Sequence, residues 1–216
     1  MPDFKIVVND PEAYKSLKVV KVKVVGDGDI PFTDKVKEQF ELPVAKVNSK
    51  LYSELGAVYG VVVVRMRRPD TGDKVKLTCR LEVDDRVPEN TVKVSLTRLI
   101  DLTGTHELDG EVFRAPAWQI RVSDERTSAF LGLKIGDEVS GEVIGLKNVK
   151  LVITGGSDIG GFPMRPDIPG PVKKRALLSA PPGFHPREDG ERRRKTVRGN
   201  TIAPDITQIN TKIKRI

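Results

Sequence analysis

Four consecutive cations near the end of the chain, Arg192, Arg193, Arg194 and Lys195, have the side chains best suited to chemistry in this sequence. An arginine guanidinium donates planar, bidentate hydrogen bonds to phosphate and can stack on bases, whereas a lysine ammonium acts as a point charge. The run therefore predicts contacts with nucleic-acid phosphates. A solvated charge run and a targeting signal are the alternatives, and the composition of the run leaves them open.

The distribution of charge favours the nucleic-acid interpretation. The formal net charge of the 216-residue chain is +7. Residues 165–216 hold thirteen Lys and Arg against five Asp and Glu, a net charge of +8, so residues 1–164 have a net charge of −1. A positive segment that is segregated in this way is the electrostatic footprint of a nucleic-acid-binding protein.

Few residues are suited to catalysis or metal binding. Two histidines, His106 and His185, and one cysteine, Cys79, are too few for a histidine-rich metal site, a zinc–cysteine cluster or an internal disulfide. The acidic pairs at 84–85 and 137–138 would point to opposite faces of a strand rather than at one substrate. No apolar run approaches the ~20 residues of a membrane-spanning helix, and a single cysteine suits a reducing cytosol. With so few candidate residues, we expect a cytosolic protein that is neither an enzyme nor a cofactor carrier.

A glycine-rich loop at residues 153–164 precedes the basic segment. No Lys-Ser or Lys-Thr pair follows its last glycine, Gly161, so it is not a P-loop. Phe162 and Pro163 stand where a dinucleotide-binding loop would open a helix. Glycine permits a positive φ and the close approach of another chain, and Asp158 can hydrogen-bond within a turn. We expect a tight corner that directs the basic segment.

The basic run is expected to be extended. Glycines and three prolines lie in the residues that lead to it, which argues against a long helix. Successive side chains of an extended chain point to opposite faces, so Arg192 and Arg194 would face one way and Arg193 and Lys195 the other. A ribbon with cations on both faces is suited to a position between two nucleic-acid helices.

The elements that position this segment are expected to be mainly β. Alternating apolar and polar residues predict strands at residues 4–8, 117–122, 139–144, 147–153, 173–178 and 206–213. A short helix is expected near 126–130, capped by residue 123 or 124. Trp118 opens one of the strands and is expected to be a core residue rather than a base-stacking platform.

Residues 14–115, between the first two of these strands, look like a domain of their own. The same patterns and turn residues predict a helix at 33–42 and strands at 17–25, 58–66, 74–83, 92–96 and 110–113. Such a series predicts a small barrel or a curled sheet, in which Cys79 is a buried strand thiol. Arg65, Arg67 and Arg68 make a local basic patch that a solvated strand end explains equally well. This domain could therefore rest on RNA, contact a neighbouring protein or stiffen the surface.

Several of these features together resemble the archaeal and eukaryotic small-subunit ribosomal protein S-six-e family. The similarity is carried by the glycine loop, with Thr154, Asp158 and Gly161 at matching positions, and by segments at 165–167, 173–179, 183–184 and 190–200. It extends from about residue 118 to residue 209, and residues 4–10 resemble the family's first strand. The insertion at 14–115 is the main departure from the family's common core.

The resemblance implies a mainly β fold with a small β-barrel core and an extended basic C-terminal segment, to which the insertion adds a second small β domain. The expected domains are residues 1–13 as the first strand of the core, 14–115 as the inserted β domain and 116–216 as the barrel core with the basic segment. Because the sequence ends at residue 216, shortly after the family core, the archaeal form is expected.

The resemblance also implies a structural constituent of the small ribosomal subunit, in the cytoplasm, that binds ribosomal RNA, lies beside neighbouring ribosomal proteins and supports subunit assembly and translation. No enzymatic activity, cofactor, metal, small-molecule substrate or membrane is expected. The alternative is a free RNA-binding or ribosome-assembly factor built on the same barrel. The residues expected to contact RNA are Arg165, Lys173, Lys174, Arg175, His185, Arg187, Arg192, Arg193, Arg194, Lys195 and Arg198.

Overall fold

The computed structural model describes residues 3–15, 17–123 and 125–215. The chain divides into two compact units, one comprising Met1–Asn9 with Gln119–Ile216 and the other Asp10–Trp118. We call the first the sheet unit and the second the barrel unit. No helix within the described ranges is long and apolar enough to span a membrane.

The elements follow one another along the chain as short strands with a few short helices between them. The strands are β1 (Phe4–Asn9), β2 (Val20–Asp27), β3 (Val44–Val47), β4 (Val61–Arg67), β5 (Lys74–Val83), β6 (Thr91–Ser95), β7 (Glu107–Arg114), β8 (Ala117–Val122), β9 (Glu138–Ser140), β10 (Val149–Asp158), β11 (Lys173–Leu178), β12 (Arg193–Arg198) and β13 (Ile206–Arg215). The α-helices are α1 (Pro11–Lys15), α2 (Asp34–Lys37), α3 (Ser49–Leu55) and α4 (Leu96–Thr103), and 3-10 helices span Glu125–Ala129 and Gly141–Ile144.

The barrel unit is a closed six-stranded β-barrel with the strand order β2-β6-β3-β5-β4-β7. Valine recurs along these strands, and its branched side chain packs well on a pleated surface. Val24, Val62, Val64 and Cys79 are fully buried in the core, which confirms the expected strand thiol. Burial raises the pKa of that thiol to about 12, so the thiol is protonated at neutral pH.

The sheet unit contains a five-stranded sheet with the order β8-β1-β13-β10-β9 and, apart from it, the two-stranded ribbon β11-β12. β1 runs parallel to β13, and β13 pairs antiparallel with β10. Alternate residues of β1, Phe4, Ile6 and Val8, are fully buried, as is Ile209 of β13. One face of this sheet therefore forms a core. Trp118 of β8, the last residue of the barrel unit, is buried as well, which confirms that it is a core residue.

The mainly β class is confirmed, and so is a small barrel, but the barrel lies in a different part of the chain from the one expected. Strands of the insertion form it, whereas residues 116–216 contribute to an open sheet and a ribbon. The expectation of a barrel within 116–216 is therefore wrong. Closure of a sheet requires its two edge strands to pair, and the edge strand β9 has only three residues before the chain turns away.

The turn after β9 also corrects the predicted strand at 139–144. The strand stops at Ser140 and the chain continues as the 3-10 helix Gly141–Ile144. A Cβ atom at Gly141 would overlap the side chain of Val149, so the glycine allows a tight turn against β10. Gly141 and Val149 belong to different elements, so the alternation of apolar and polar residues along one strand does not predict their contact.

The pattern of apolar and polar residues predicted the helices of the barrel unit least well. The predicted helix at 33–42 ends at Lys37, because Gln39 adopts a φ of 68° that a right-handed helix does not allow. Three α-helices of this unit were not predicted, α1, α3 and α4. The last two share a feature. Each has αL glycine at its C-terminal end, Gly56 and Gly104, which is the common helix stop signal.

Candidate nucleic-acid interface

The ribbon β11–β12 carries seven of the eleven residues expected to contact RNA. Directly opposed residues of an antiparallel ribbon share a face. The register distributes the seven side chains over both faces, with Lys174, Arg193 and Lys195 on one and Lys173, Arg175, Arg194 and Arg198 on the other. We call these the Lys174 face and the Arg175 face. The extended conformation predicted for the basic run is confirmed from Arg193 onward, and Arg192 precedes the strand.

A small apolar cluster holds the ribbon from the Lys174 face. Leu178 and Val197 are buried against Phe184, and Ile168 and Ala176 pack on them. The lysines and the arginine of the same face stay exposed around this cluster. Apolar packing therefore positions these cations, so that their charges are not needed to hold the ribbon together.

The glycine loop is a tight turn that anchors the end of β12. The carboxylate of Asp158 accepts a hydrogen bond from the N–H of Phe162 at 2.8 Å, and Gly161 turns the chain with a φ of 76°. The returning chain then binds the ribbon, because the N–H of Arg198 donates to the carbonyl of Pro163 at 2.9 Å. The corner predicted from the glycines is confirmed.

Two further glycines allow backbone segments to approach closely, Gly156 within the five-stranded sheet and Gly199 beside the ribbon. A Cβ atom at Gly156 would overlap the carbonyl oxygen of Gln208, and one at Gly199 would overlap that of Gly170. The N–H of Gly199 donates to the carbonyl of Val172 at 2.7 Å. The chain that leaves β12 is thereby fixed against the segment that leads into β11.

Two of the arginines expected to contact RNA are used within the protein. The side chain of Arg198 is only 6% exposed, and its Nη2 donates to Oδ1 of Asp205 at 2.6 Å. Arg165 donates to the carboxylate of Asp167 and to the carbonyl of Pro182, each at 2.8 Å. The first of these bonds holds the pKa of Asp167 below its ordinary value. Both arginines therefore stabilise the chain around the ribbon. No sequence motif identified Asp205 as the partner of Arg198.

Lys173 and Arg193 remain exposed but have contacts within the protein. The Nζ of Lys173 lies 3.8 Å from Oδ2 of Asp158 and 4.3 Å from the centroid of the Phe162 ring. The Nε of Arg193 donates to Oε1 of Glu191 at 2.8 Å. The pKa of Glu191 is lowered, chiefly by the hydrogen bond from the N–H of Arg187 and then by the charge of Arg193. These two cations are therefore partly neutralised.

The remaining cations of the predicted set are exposed, and none forms an ion pair with a residue that the structure describes; they are Lys174, Arg175, Arg187, Arg192, Arg194 and Lys195. His185 is also exposed, in the loop between the two strands. The full charge of the six side chains is thus free to attract an external anion.

The net charges of the two units agree with a nucleic-acid interface in the sheet unit. The sheet unit has nineteen Lys and Arg against twelve Asp and Glu, whereas the barrel unit has eighteen of each. Among the described residues, no three His, Cys, Asp or Glu side chains are grouped so that they could hold a metal ion. The arrangement is suited to electrostatic binding of a polyanion.

Comparison with known proteins identifies ribosomal relatives. The family model described as Ribosomal protein S6e matches residues 112–215. A small ribosomal subunit protein eS6 from Staphylothermus marinus is 62% identical over 216 residues, which is 100% of both chains. The protein of that name from Hyperthermus butylicus is 58% identical over 213 residues, 99% of this chain and 97% of that one. Among solved structures, the rationally designed mkDPBB_sym1 protein has a TM-score of 0.30 and 18% identity, and covers 45% of this chain and 100% of that chain.

The alignment with the relatives includes the insertion at 14–115. The insertion lies almost wholly outside the matched family model, yet the Staphylothermus marinus protein aligns over the full length of the chain. The insertion is therefore a feature that this chain shares with such relatives and does not set it apart from them. Identity of 62% and 58% over nearly the whole length shows the family: the chain belongs to the ribosomal protein S6e family.

Proposed function

We propose that this protein is a structural constituent of the small ribosomal subunit in the cytoplasm, and that it binds ribosomal RNA through the ribbon β11–β12 and the loop between its strands. The name small ribosomal subunit protein eS6, carried by relatives at 62% and 58% identity, supports the first part. The observation that carries the second part is the presence of exposed cations on both faces of a ribbon that its own apolar cluster holds in place. Neighbouring ribosomal proteins are further partners, and the role is structural rather than enzymatic.

The thinness of the ribbon allows both faces to act at once. Its two strands lie ~4.8 Å apart, and side chains on opposite faces extend away from each other. Lys174 and Lys195 reach one side, while Arg175 and Arg194 reach the other. Between two RNA helices, such a ribbon neutralises phosphates of both. Proteins recognise double-stranded RNA mainly through its shape, its phosphates and its 2′-hydroxyl groups, which these side chains can contact as hydrogen-bond donors.

Preorganisation of the ribbon lowers the free-energy cost of binding. Fixing the backbone of a disordered residue costs ~1–2 kcal/mol, and a disordered basic tail would incur this cost on binding RNA. Here Leu178, Val197 and Phe184 already fix the strands. Arg165 and Arg198 belong to this support, so the proposal does not assign them a contact with RNA.

Two face-specific pairs of substitutions test the arrangement. Lys174→Gln with Lys195→Gln removes two charges from one face, and Arg175→Gln with Arg194→Gln removes two from the other. We expect each pair to release the protein from small subunits at lower ionic strength than the wild type, because each phosphate contact adds to the salt dependence of binding. Sedimentation of subunits after washes of increasing salt concentration measures the retained fraction.

The matched control is Lys134→Gln with Lys147→Gln, two exposed cations of the sheet unit outside the ribbon. A ribbon that lies on one RNA surface would respond to only one of the two face-specific pairs. If neither pair differed from the control, the ribbon would not be the RNA-binding element. If the wild-type protein itself left the subunits at the first high-salt wash, the chain would be a free RNA-binding or assembly factor instead.

A further inference from the structure

A second concentration of cations lies on the barrel unit, on the outer face of four neighbouring strands. The register places Lys21 of β2, Glu111 of β7, Arg65 of β4 and Lys76 of β5 side by side. Alternate residues of a strand share a face, and the residues between these point into the barrel core. The first row across the face thus has three cations and one acid.

The next row repeats the arrangement. Lys23 of β2 pairs with Asp109 of β7, and Arg67 of β4 pairs with Lys74 of β5. Rows two residues apart along a strand are separated by ~7 Å. Because the barrel unit as a whole has as many acids as cations, six cations against two acids in these rows is a local segregation of charge.

Most of this positive charge is not neutralised by ion pairs. Nε of Arg65 donates to Oε2 of Glu111 at 2.8 Å, and Nζ of Lys23 lies 3.0 Å from Oε2 of Glu107. The other four cations of the two rows form no ion pair with any described residue; they are Lys21, Arg67, Lys74 and Lys76. The hydrogen bond from Arg65, followed by the charges of Arg67 and Lys21, holds the pKa of Glu111 below its ordinary value, so this acid stays paired at neutral pH.

The face is concave rather than flat. A groove of about 880 Å³ lies at this face, and its lining includes five cations, Lys21, Lys23, Arg65, Arg67 and Lys74, and three acids, together with the buried apolar residues Val22 and Met66. Two of the acids are already paired, Glu111 with Arg65 and Glu89 with Lys50. Positive charges along a concave surface focus the electrostatic potential and attract anions.

We propose that this groove of the barrel is a second RNA-binding site, which takes a run of backbone phosphates. A protein partner would be expected to meet an apolar centre. Among the described residues, however, no exposed large hydrophobic side chain belongs to either row. Sequence-independent binding of a phosphate backbone needs only the cations. This site is distinct from the ribbon in the proposed function and does not depend on it.

The test uses the full chain and a labelled, mixed-sequence single-stranded RNA. The triple variant Lys21→Gln, Arg67→Gln, Lys74→Gln removes three unpaired cations of the groove. Each lost phosphate contact lowers the slope of log affinity against log salt concentration by about 0.7 on single-stranded RNA, so we expect a decrease of about 2. The control variant, Lys35→Gln, Arg80→Gln, Arg86→Gln, makes the same charge change at exposed positions of the barrel unit outside the two rows, and its slope should stay near that of the wild type.

The measurement is repeated in a background in which residues 192–195 are all Gln. There the groove should supply a larger share of the remaining RNA affinity, and the triple variant should again lower the slope by about 2. A triple variant with the same slope as the control in both backgrounds would overturn the proposal. If the triple variant had an unchanged slope but failed to remain on small subunits, the groove would be a protein-binding surface. If the substitutions at 192–195 left the slope unchanged while the groove substitutions still lowered it, only the proposed function would be contradicted.

Discussion

At the scale of single residues, the ion pair of Arg114 with Asp10 is the contact whose loss should cost most. Asp10 is 1% exposed, and Nε of Arg114 donates to its Oδ2 at 2.8 Å. The guanidinium carbon of Arg114 also lies 5.5 Å from the centroid of the Tyr59 ring. Removal of one partner leaves an uncompensated buried charge, which typically costs ~3–5 kcal/mol. We predict that Arg114→Met lowers the free energy of unfolding by about this amount, measured by urea denaturation.

The control for this substitution changes both partners. Arg114→Met combined with Asp10→Asn leaves no buried charge, and an amide can still accept the hydrogen bond that the N–H of Glu12 gives to Asp10. We expect the double variant to be more stable than Arg114→Met alone. A double variant that was as unstable as the single one would show that packing, and not the unpaired carboxylate, sets the cost.

Residue types alone did not show which charged side chains form contacts within the folded protein. Arg165 and Arg198 look the same in the sequence as Arg194, and all three were expected to contact RNA. The acceptors that separate them come from turns, such as the carboxylate of Asp205 and the carbonyl of Pro182. No periodicity predicts these contacts. Exposure in the folded protein is therefore what separates the candidate RNA-binding cations from those that support the ribbon.

At the scale of elements, Gly199 fixes the end of the ribbon. A Cβ atom there would meet the backbone carbonyl of Gly170, which cannot move aside as a flexible side chain would. We predict that Gly199→Ala lowers stability by about 1–3 kcal/mol, the usual range for overpacking. We also expect faster hydrogen exchange at the N–H of Arg198, which bonds to Pro163. Gly28→Ala serves as the control, because a Cβ atom at that position meets nothing within 4 Å, and an equal response of the two variants would contradict this role of Gly199.

The bounds of two strands were predictable to the residue. The expected strands at 117–122 and 173–178 coincide with β8 and β11, because one face of each meets apolar neighbours. Alternation failed at 141–144, where a glycine packed against β10 turns the chain. No element was predicted at α4, where Thr and Ile favour a strand by propensity but burial of Leu99 and Thr103, four residues apart, stabilises a helix. Contacts distant in sequence decided both cases.

At the scale of the whole molecule, the two ends of the barrel unit lie next to each other. The N–H of Asp10 donates to the carbonyl of Pro116 at 2.8 Å, and β1 and β8, which flank the insertion, are neighbours in the five-stranded sheet. A short turn can therefore join these strands directly. We predict that a chain in which such a turn replaces residues 10–116 still unfolds cooperatively on heating, as followed by circular dichroism. A gradual transition would show that the two units need each other to fold, against the proposed domain division at 14–115.

Charge was the whole-molecule property most visible in the sequence, since a count of residues suffices to find the basic segment. The position of the closed barrel was not visible there. Closure depends on pairings between distant strands, such as the parallel pair β2 and β6, and alternation of side chains does not specify partners. The family resemblance placed a barrel in residues 116–216, where the short strand β9 leaves the sheet open.

The salt dependence of RNA binding by the isolated protein tests the central claim most directly. The wild type and the variant with Arg192→Gln, Arg193→Gln, Arg194→Gln and Lys195→Gln are titrated with a small-subunit ribosomal RNA fragment at several salt concentrations. For ~6–10 phosphate contacts, wild-type affinity should fall by ~10³–10⁵ between 50 and 200 mM salt, and the slope of the variant should be smaller by about 3–4. Melting temperatures should be similar, because exposed charges contribute little to folding. A nearly flat dependence for the wild type, or an unchanged slope for the variant, would contradict RNA binding by the ribbon.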